Sequence, residues 1–425
     1  MLMHTSRTHP SHPSPRRLCV ALLLVVCFSG LHLAAAHGAN AESDIRHVRV
    51  IWHEQPATSA VISWTSTTAK GDFLVRFGPQ SATGKLNQYP SQVAAKVNDQ
   101  FVITRSNEKE KLKDVCYHHA VLTGLKPSTR YYFTVIDQGQ ASDEFSFITA
   151  PADDRDFSIL FGGDSKGDGT AEKDIAGMIR EFIEKDENII ALAHGGDYLN
   201  SGDSLEQWLG ALDGLERYAT SDNRLLPIIP TRGNHDRGAL FQQVFNFPGG
   251  KRDSYYTTQL APAIALITLN TELSTAGDQR LWLDAELAKV RAKNRWVLAQ
   301  YHRPAWPAVK KPSSALKDFV PLFEQHDVDL VLEADGHVIK RTPPIRDGKV
   351  DPTGVVYLGE GGLGVPQRKP DVTRWYLKEP GMAAAGHHIM KINFSPASIQ
   401  TQFILLDGRR VLDEAMLKPR AKYAK

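Results

Sequence analysis

Five apolar runs in this chain stop at residues that can donate oxygen or nitrogen to a cation. FSILFGGD (157–164) ends at Asp164, and NIIALAHGGD (188–197) ends at Asp197. LLPIIPTRGNHD (225–236) ends in Asn234, His235 and Asp236. WVLAQYHRP (296–304) carries His302, and VDLVLEADGH (328–337) carries Asp335 and His337. Carboxylate, amide and imidazole donors together suit divalent first-row metals. Any one of these stretches alone is an ordinary turn. The weight lies in their joint occurrence, with glycines that let backbones approach closely.

The elements between these runs are helical. AEKDIAGMIREFIEKD (171–186) has helix-period apolar residues, and QRLWLDAELAKVRAK (279–293) is amphipathic. Strands alternating with helices indicate an α/β domain, whose expected site lies just past the carboxyl ends of the strands. Upstream, HVRVIWH, SAVISWTS, FLVRFGP, HHAVLTGL, RYYFTVID and DEFSFIT are short, β-branched and aromatic, with turn residues separating many of them. They predict an all-β sandwich. The predicted organisation is a leader at 1–41, the sandwich at 42–151, the α/β domain at 152–407 and a basic tail at 408–425, read as a short helix or frayed end.

The leader has Arg7, Arg16 and Arg17 before the nearly uncharged LCVALLLVVCFSGLHLAAA (18–36), then small-residue sites at Ala34–Ala36 and Ala39–Ala41. This is the layout of a secretory signal peptide, so a secreted or periplasmic location is expected. Its removal takes Cys19 and Cys27 and leaves Cys116 alone, so no internal disulfide is expected. Losing its three arginines shifts the net charge from +2 to −1. No basic stripe favours nucleic acid, and no membrane association is expected after cleavage. The 42% hydrophobic and 23% charged content is that of a globular protein.

GGD…GGD…GNHD…YHRP…DGH, in this order, resembles the calcineurin-like metallophosphoesterases. LTGLKPSTRYYFTV followed by FSFITAP resembles a fibronectin type III domain, and GVVYLGEGGLG (354–364) with HHIMKINF (387–394) is similar to the purple acid phosphatase branch. The resemblance implies two packed mixed sheets flanked by helices, and a dinuclear phosphohydrolase acting on small phosphate esters. The family's last motif is Gly-His-x-His. A gapless register over 328–341 replaces its first His by Asp335 and makes His337 the second; the other register would leave Ile339 as a ligand.

On the gapless register the resemblance implies one metal on Asp164, Asp197 and His337. A second lies on Asp197, Asn234, His302 and Asp335, with Asp197 bridging. The branch's tyrosine three residues after the bridging aspartate is here Asn200, a neutral candidate ligand, and Lys166 stands two residues after Asp164. Three aspartates and no tyrosinate predict two divalent ions, Mn²⁺ or Fe²⁺ with Zn²⁺ as the third option, and a protein that is not purple. Such ions activate water and neutralise phosphoryl oxygens. His235 is expected to contact the phosphoryl group or protonate the leaving oxygen, with Asp236 orienting it. Lys166, Arg303 and Arg341 are the candidate phosphate contacts, each with a salt-bridge or solvated alternative. GEGGLG lacks the Lys-Ser/Thr of a nucleotide loop and is read as a backbone turn. The alternatives to a phosphomonoesterase are a phosphodiesterase on the same site and a non-catalytic binding protein with a relic domain. The sequence leaves oligomeric state open, a dimer included.

Overall fold

The computed structural model describes residues 44–167, 169–247 and 254–423. The predicted leader lies outside them, and no helix among the described residues is long and apolar enough to cross a membrane.

The N-terminal strands form where β-branched and aromatic residues concentrate. Arg46–Ile51, Ser59–Ser66, Cys116–Thr123 and Val97–Gln100 pair in one sheet. Ser91–Ala94, Phe73–Gly78, Arg130–Asp137 and Gln140–Ala141 pair in another, with Phe145–Ile148 also on Arg130–Asp137. The two sheets share one apolar cluster in which Trp52, Trp64, Phe133 and Phe147 are wholly buried. The short strands Ser91–Ala94 and Val97–Gln100 and the helix Ser106–Leu112 escape a reading from sequence because they are polar and partly exposed.

The α/β domain has two mixed sheets. Phe157–Gly162, Ile189–His194 and Ile228–Pro230 are parallel; His388–Phe394 and Ile399–Leu405 extend their sheet antiparallel. In the second sheet Ile264–Thr268, Trp296–Gln300, Leu330–Glu333 and Val356–Gly359 run parallel, with antiparallel strands at both edges. Period-two alternation divides the side chains between layers. Ile159 and Phe161 meet Leu266, Leu298 and Leu332 between the sheets. Leu160 turns outward to Ile175, Met178 and Ile179 of the helix Thr170–Lys185. Ile267 and Val297 turn the other way, to Leu283 and Leu287 of the helix Asp278–Arg291. The order is helix, sheet, sheet, helix.

The sandwich is joined to this body edge to edge. Ile51 pairs with Ile228 in parallel register, and the Trp52 N–H donates to the Ile228 carbonyl at 2.9 Å. One sheet of ten strands therefore runs through both domains.

The predicted tail is corrected. Val411–Leu417 is neither helix nor frayed end but an antiparallel strand on Ile399–Leu405. Beyond it Arg420 holds Asp329 at 3.1 Å and the Val328 carbonyl at 2.9 Å. Its charges suit an edge strand facing water on one side.

Candidate metal centre

The loops after the five apolar strands converge at one end of the paired sheets. Asp164, Asp197, Asp335 and His337 have positive φ, 56°, 61°, 67° and 61°. Such geometry is costly for residues with a Cβ and is concentrated at functional sites. It turns each chain abruptly at a strand end. The loops then cross very closely: a side chain on Gly195 would come within 2.9 Å of the Ala334 Cβ, so glycine is required there.

Backbone bonds lock the crossing. The Asp164 N–H donates to the Gly196 carbonyl at 2.8 Å, and the Asp335 N–H to Asp164 Oδ2 at 2.9 Å. The His235 N–H donates to Asp197 Oδ1 at 2.8 Å. Two imidazoles now face three acids. His302 Nε2 lies 3.2 Å from Asn234 Oδ1, 3.3 Å from Asp197 Oδ2 and 3.5 Å from Asp335 Oδ1. His337 Nε2 lies 3.2 Å from Asp164 Oδ1. Asp164, Asp197 and His302 are wholly buried, and Asp335 and His337 nearly so.

Each imidazole is oriented the same way. Nδ1–H of His302 donates to the Gly195 carbonyl at 2.8 Å, that of His235 to the Asn200 carbonyl at 2.8 Å and that of His337 to Pro366 at 3.3 Å. A backbone acceptor on one ring nitrogen fixes the tautomer and leaves the other free to ligate. The electrostatics agree. Burial alone would lower His302, but the facing Asp197 carboxylate outweighs it and pushes the ring well above its ordinary range. Burial would raise Asp335; His302 and Lys310 overcome it and hold the carboxyl at about 2. Asp197 is likewise held far below the usual range, burial being outweighed by His302 and Lys166. A field that favours protons on His302 favours a cation in their place. Asp164 Oδ1, buried without a hydrogen-bond partner, is a further sign that the donors fit a metal.

Lys166 enters this cluster. Its Nζ pairs with Asp197 Oδ2 and lies 3.7 Å from Asp164 Oδ1, on a side chain only 7% exposed.

Four expectations need correction. The Asn200 residue is exposed, and no Asn200 side-chain contact joins the cluster; its carbonyl serves His235. Gln207 Oε1 grips the Asn200 and Ser201 N–H groups and fixes this turn. Asp236 does not orient the His235 ring. Its buried carboxylate accepts from the N–H groups of Asp197, Tyr198 and Gly233, tying two site loops together. Burial and the Asp197 charge push it up to about 7, against those three donors. Arg341 is held by both Asp413 carboxylate oxygens, at 2.7 and 2.8 Å, away from the cluster. Arg303 is spent on Glu272 at 2.7 Å and reaches only the rim.

Other participants carry no sequence signal. Lys310 pairs with Asp335, and Arg368 donates to the Asp335 carbonyl at 3.2 Å. A wholly buried Lys340 sits between Glu333 and Glu360. Glu333 also accepts from the Tyr301 hydroxyl and the Ala305 N–H, and Glu360 from the Ala308 N–H. These bonds brace the His302 loop against the strand that delivers Asp335. The GEGGLG segment is a backbone clamp: the Gly364 N–H donates to the Asp164 carbonyl at 3.0 Å and the Leu363 N–H to that of Gly163 at 3.1 Å.

Two packed mixed sheets with donors converging at their strand ends define a metallophosphoesterase type of fold and centre. Residues 45–149 match the family described as purple acid phosphatase, N-terminal domain, and residues 167–339 match the calcineurin-like phosphoesterases. An uncharacterized protein of Mycobacterium tuberculosis is 27% identical over 341 residues, covering 68% of this chain and 60% of that protein. Purple acid phosphatase 21 of Arabidopsis thaliana is 28% identical over 307 residues, 65% of each chain. The structure of purple acid phosphatase PPD1 from yellow lupin seeds superposes with a TM-score of 0.74 at 16% identity, over 89% of this chain and 75% of that one. The chain spans about 60% of the length of the first curated relatives it matches. Residues 167–339 therefore carry a calcineurin-like phosphoesterase domain, with a purple acid phosphatase N-terminal domain at 45–149 in front.

Proposed function

We propose that this protein is an exported, metal-dependent phosphomonoesterase. The observation that carries the reading is the convergence of Asn234, Asp197 and Asp335 oxygens within 3.2–3.5 Å of His302 Nε2. Two carboxylates, an amide oxygen and an imidazole make a complete set for Mn²⁺, Fe²⁺ or Zn²⁺. Divalent ions held there supply an activated water and neutralise phosphoryl oxygens during in-line attack.

The chain's own residues do the rest. His302, its Nδ1–H spent on Gly195, presents Nε2 to the cleft. His235 is half-exposed at the mouth, with Nε2 4.0 Å from Asp197 Oδ2. In its imidazolium form it can give the Nε2 proton to the leaving oxygen. Lys166 and Lys310 place two ammonium groups beside the donor acids, which supports a dianionic monoester over a monoanionic diester. The leader expected at 1–41 supports export. Of the two metal subsites expected from sequence, the four-donor one suffices for this reading; in the other, Lys166 lies between Asp164 and Asp197.

The test is hydrolysis of p-nitrophenyl phosphate beside bis-p-nitrophenyl phosphate, with Mn²⁺, Fe²⁺ or Zn²⁺ added. Faster monoester turnover is expected. His235→Ala should lower kcat by about 10²–10⁴-fold while Mn²⁺ binding persists. Preference for the diester would establish the phosphodiesterase alternative. No turnover of either ester with any of the three metals would sink the reading in favour of a binding protein.

A further inference from the structure

We infer that this chain holds one resident divalent cation, on Asp197, Asn234, His302 and Asp335, and that the Lys166 ammonium takes the place of the second. The inference rests on the phosphoesterase reading above and departs from the two-cation expectation.

Three observations carry it. The first is position. Lys166 Nζ lies against Asp197 Oδ2, the same oxygen that stands 3.3 Å from His302 Nε2, and on the side of Asp164. It therefore lies between Asp197 and Asp164, the two acids of the second expected subsite. With 7% of its side chain exposed, Lys166 is built into the site.

The second is the donor count. On that side only Asp164, Asp197 and His337 remain. Asp164 Oδ2 is already spent on the Asp335 N–H, and Asn200 is exposed. The other subsite has four donors; this one has three, and the Lys166 ammonium, which cannot ligate while protonated, lies beside two of them.

The third is charge. Lys166 and the Lys310 that pairs with Asp335 already offset two of the three aspartates, so one divalent cation brings the cluster to a net charge of about +1 and two would bring it to about +3, an excess that burial penalises heavily. A fixed ammonium also suits the chemistry, because it can neutralise a phosphoryl oxygen without depending on a second ion.

The experiment saturates the full chain with Mn²⁺, removes free metal, and reads Mn²⁺ per chain together with its electron paramagnetic resonance. The wild type is expected to hold one Mn²⁺ with an uncoupled spectrum. Lys166→Gly, which removes the ammonium, and Lys166→Gln, which keeps its bulk and adds an amide oxygen, are each checked for folding by circular dichroism. At least one is expected to rise to two Mn²⁺ with an exchange-coupled signal. Two coupled Mn²⁺ in the wild type would overturn the inference, and ester hydrolysis would still stand or fall by itself. One Mn²⁺ in the wild type and in both folded variants would overturn the replacement by Lys166. One Mn²⁺ in the wild type, a second in a variant and no hydrolysis by any form would keep the inference and end the phosphoesterase reading.

Discussion

Buried histidines occur at both ends of this molecule, and they are not equivalent. In the sandwich, His119 uses both ring nitrogens: Nδ1 meets the Ser63 hydroxyl at 2.6 Å and Nε2–H donates to the Gln243 carbonyl at 2.7 Å. His118 is likewise saturated by Asn98 and Ser66. Burial, helped by Arg49, pushes His119 down to about 3, and burial pushes His118 to about 4. In the cleft, His302 is just as buried but spends one nitrogen on a carbonyl and turns the other toward carboxylates. Its proton affinity moves the opposite way. A buried histidine is a structural member when both nitrogens have neutral partners, and a candidate ligand when one faces a cluster of acids.

The strongest way to break that contrast is to remove one histidine of each kind. His302→Ala is expected to abolish measurable Mn²⁺ binding and reduce turnover by at least about 10³-fold, beyond the 10–100-fold typical of outer partners of a metal site. Its melting temperature without metal should fall, because the change leaves the buried Asp197 and Asp335 carboxylates without the imidazole that faces them. Calorimetric Mn²⁺ titration and the ester assay read both effects. Retained Mn²⁺ affinity would remove His302 from the donor set.

Acids show the same division. Asp164 Oδ1 has no hydrogen-bond partner, whereas Glu333 is saturated by Lys340, Tyr301 and Ala305. Lys340→Ala strands two buried carboxylates, and burial already pushes Glu360 up to about 7. A loss of about 3–5 kcal/mol is expected in denaturant unfolding, as for a broken buried ion pair. Mn²⁺ stoichiometry of the folded fraction should hold. A variant as stable as the wild type would mean that the bracing of the His302 loop comes from elsewhere.

A gentler test uses pH. Between about 6.5 and about 3 the unfolded chain binds a proton at residue 119 that the folded chain refuses. Stability from this group is therefore full above about pH 6.5 and falls as pH drops toward 3. His119→Gln should flatten that acid limb in melting curves taken from pH 7 to pH 4 and leave ester turnover at pH 7 unchanged. An unaltered slope would assign the acid sensitivity to other groups.

The contrast also explains what was legible in the sequence. The strand ends were, because an apolar run that stops at Gly-Asp or Gly-Asn-His declares both a strand and its exit. The register at Asp335 followed from the unbroken run 328–341, and Ile339 lies in the core. The role of each polar residue was not legible, because partners lie far away in sequence. Asn200 has the right spacing, but Gln207 turns its loop outward. Lys340 finds Glu360 only through the fold, and Lys310 reaches Asp335 across two loops. The strand Val411–Leu417 was hidden by its charges, which are those of a sheet edge.

That edge strand supplies the smallest effect. Arg341 follows the loop that carries Asp335 and His337, and its neighbourhood suggested a phosphate contact. Its guanidinium is instead engaged twice by Asp413 of the edge strand and once by the Pro380 carbonyl, at 2.9 Å. The pair lies partly open to solvent, where ion pairs contribute about 0.2–1 kcal/mol. Arg341→Ala should therefore lower stability by that order and leave KM for the monoester unchanged. Asp413→Ala should do the same, and the double variant should add little further loss, since both changes remove one interaction. A several-fold rise in KM for Arg341→Ala alone would show that the guanidinium leaves Asp413 to meet substrate. The cleft would then extend one strand farther than its buried donors indicate.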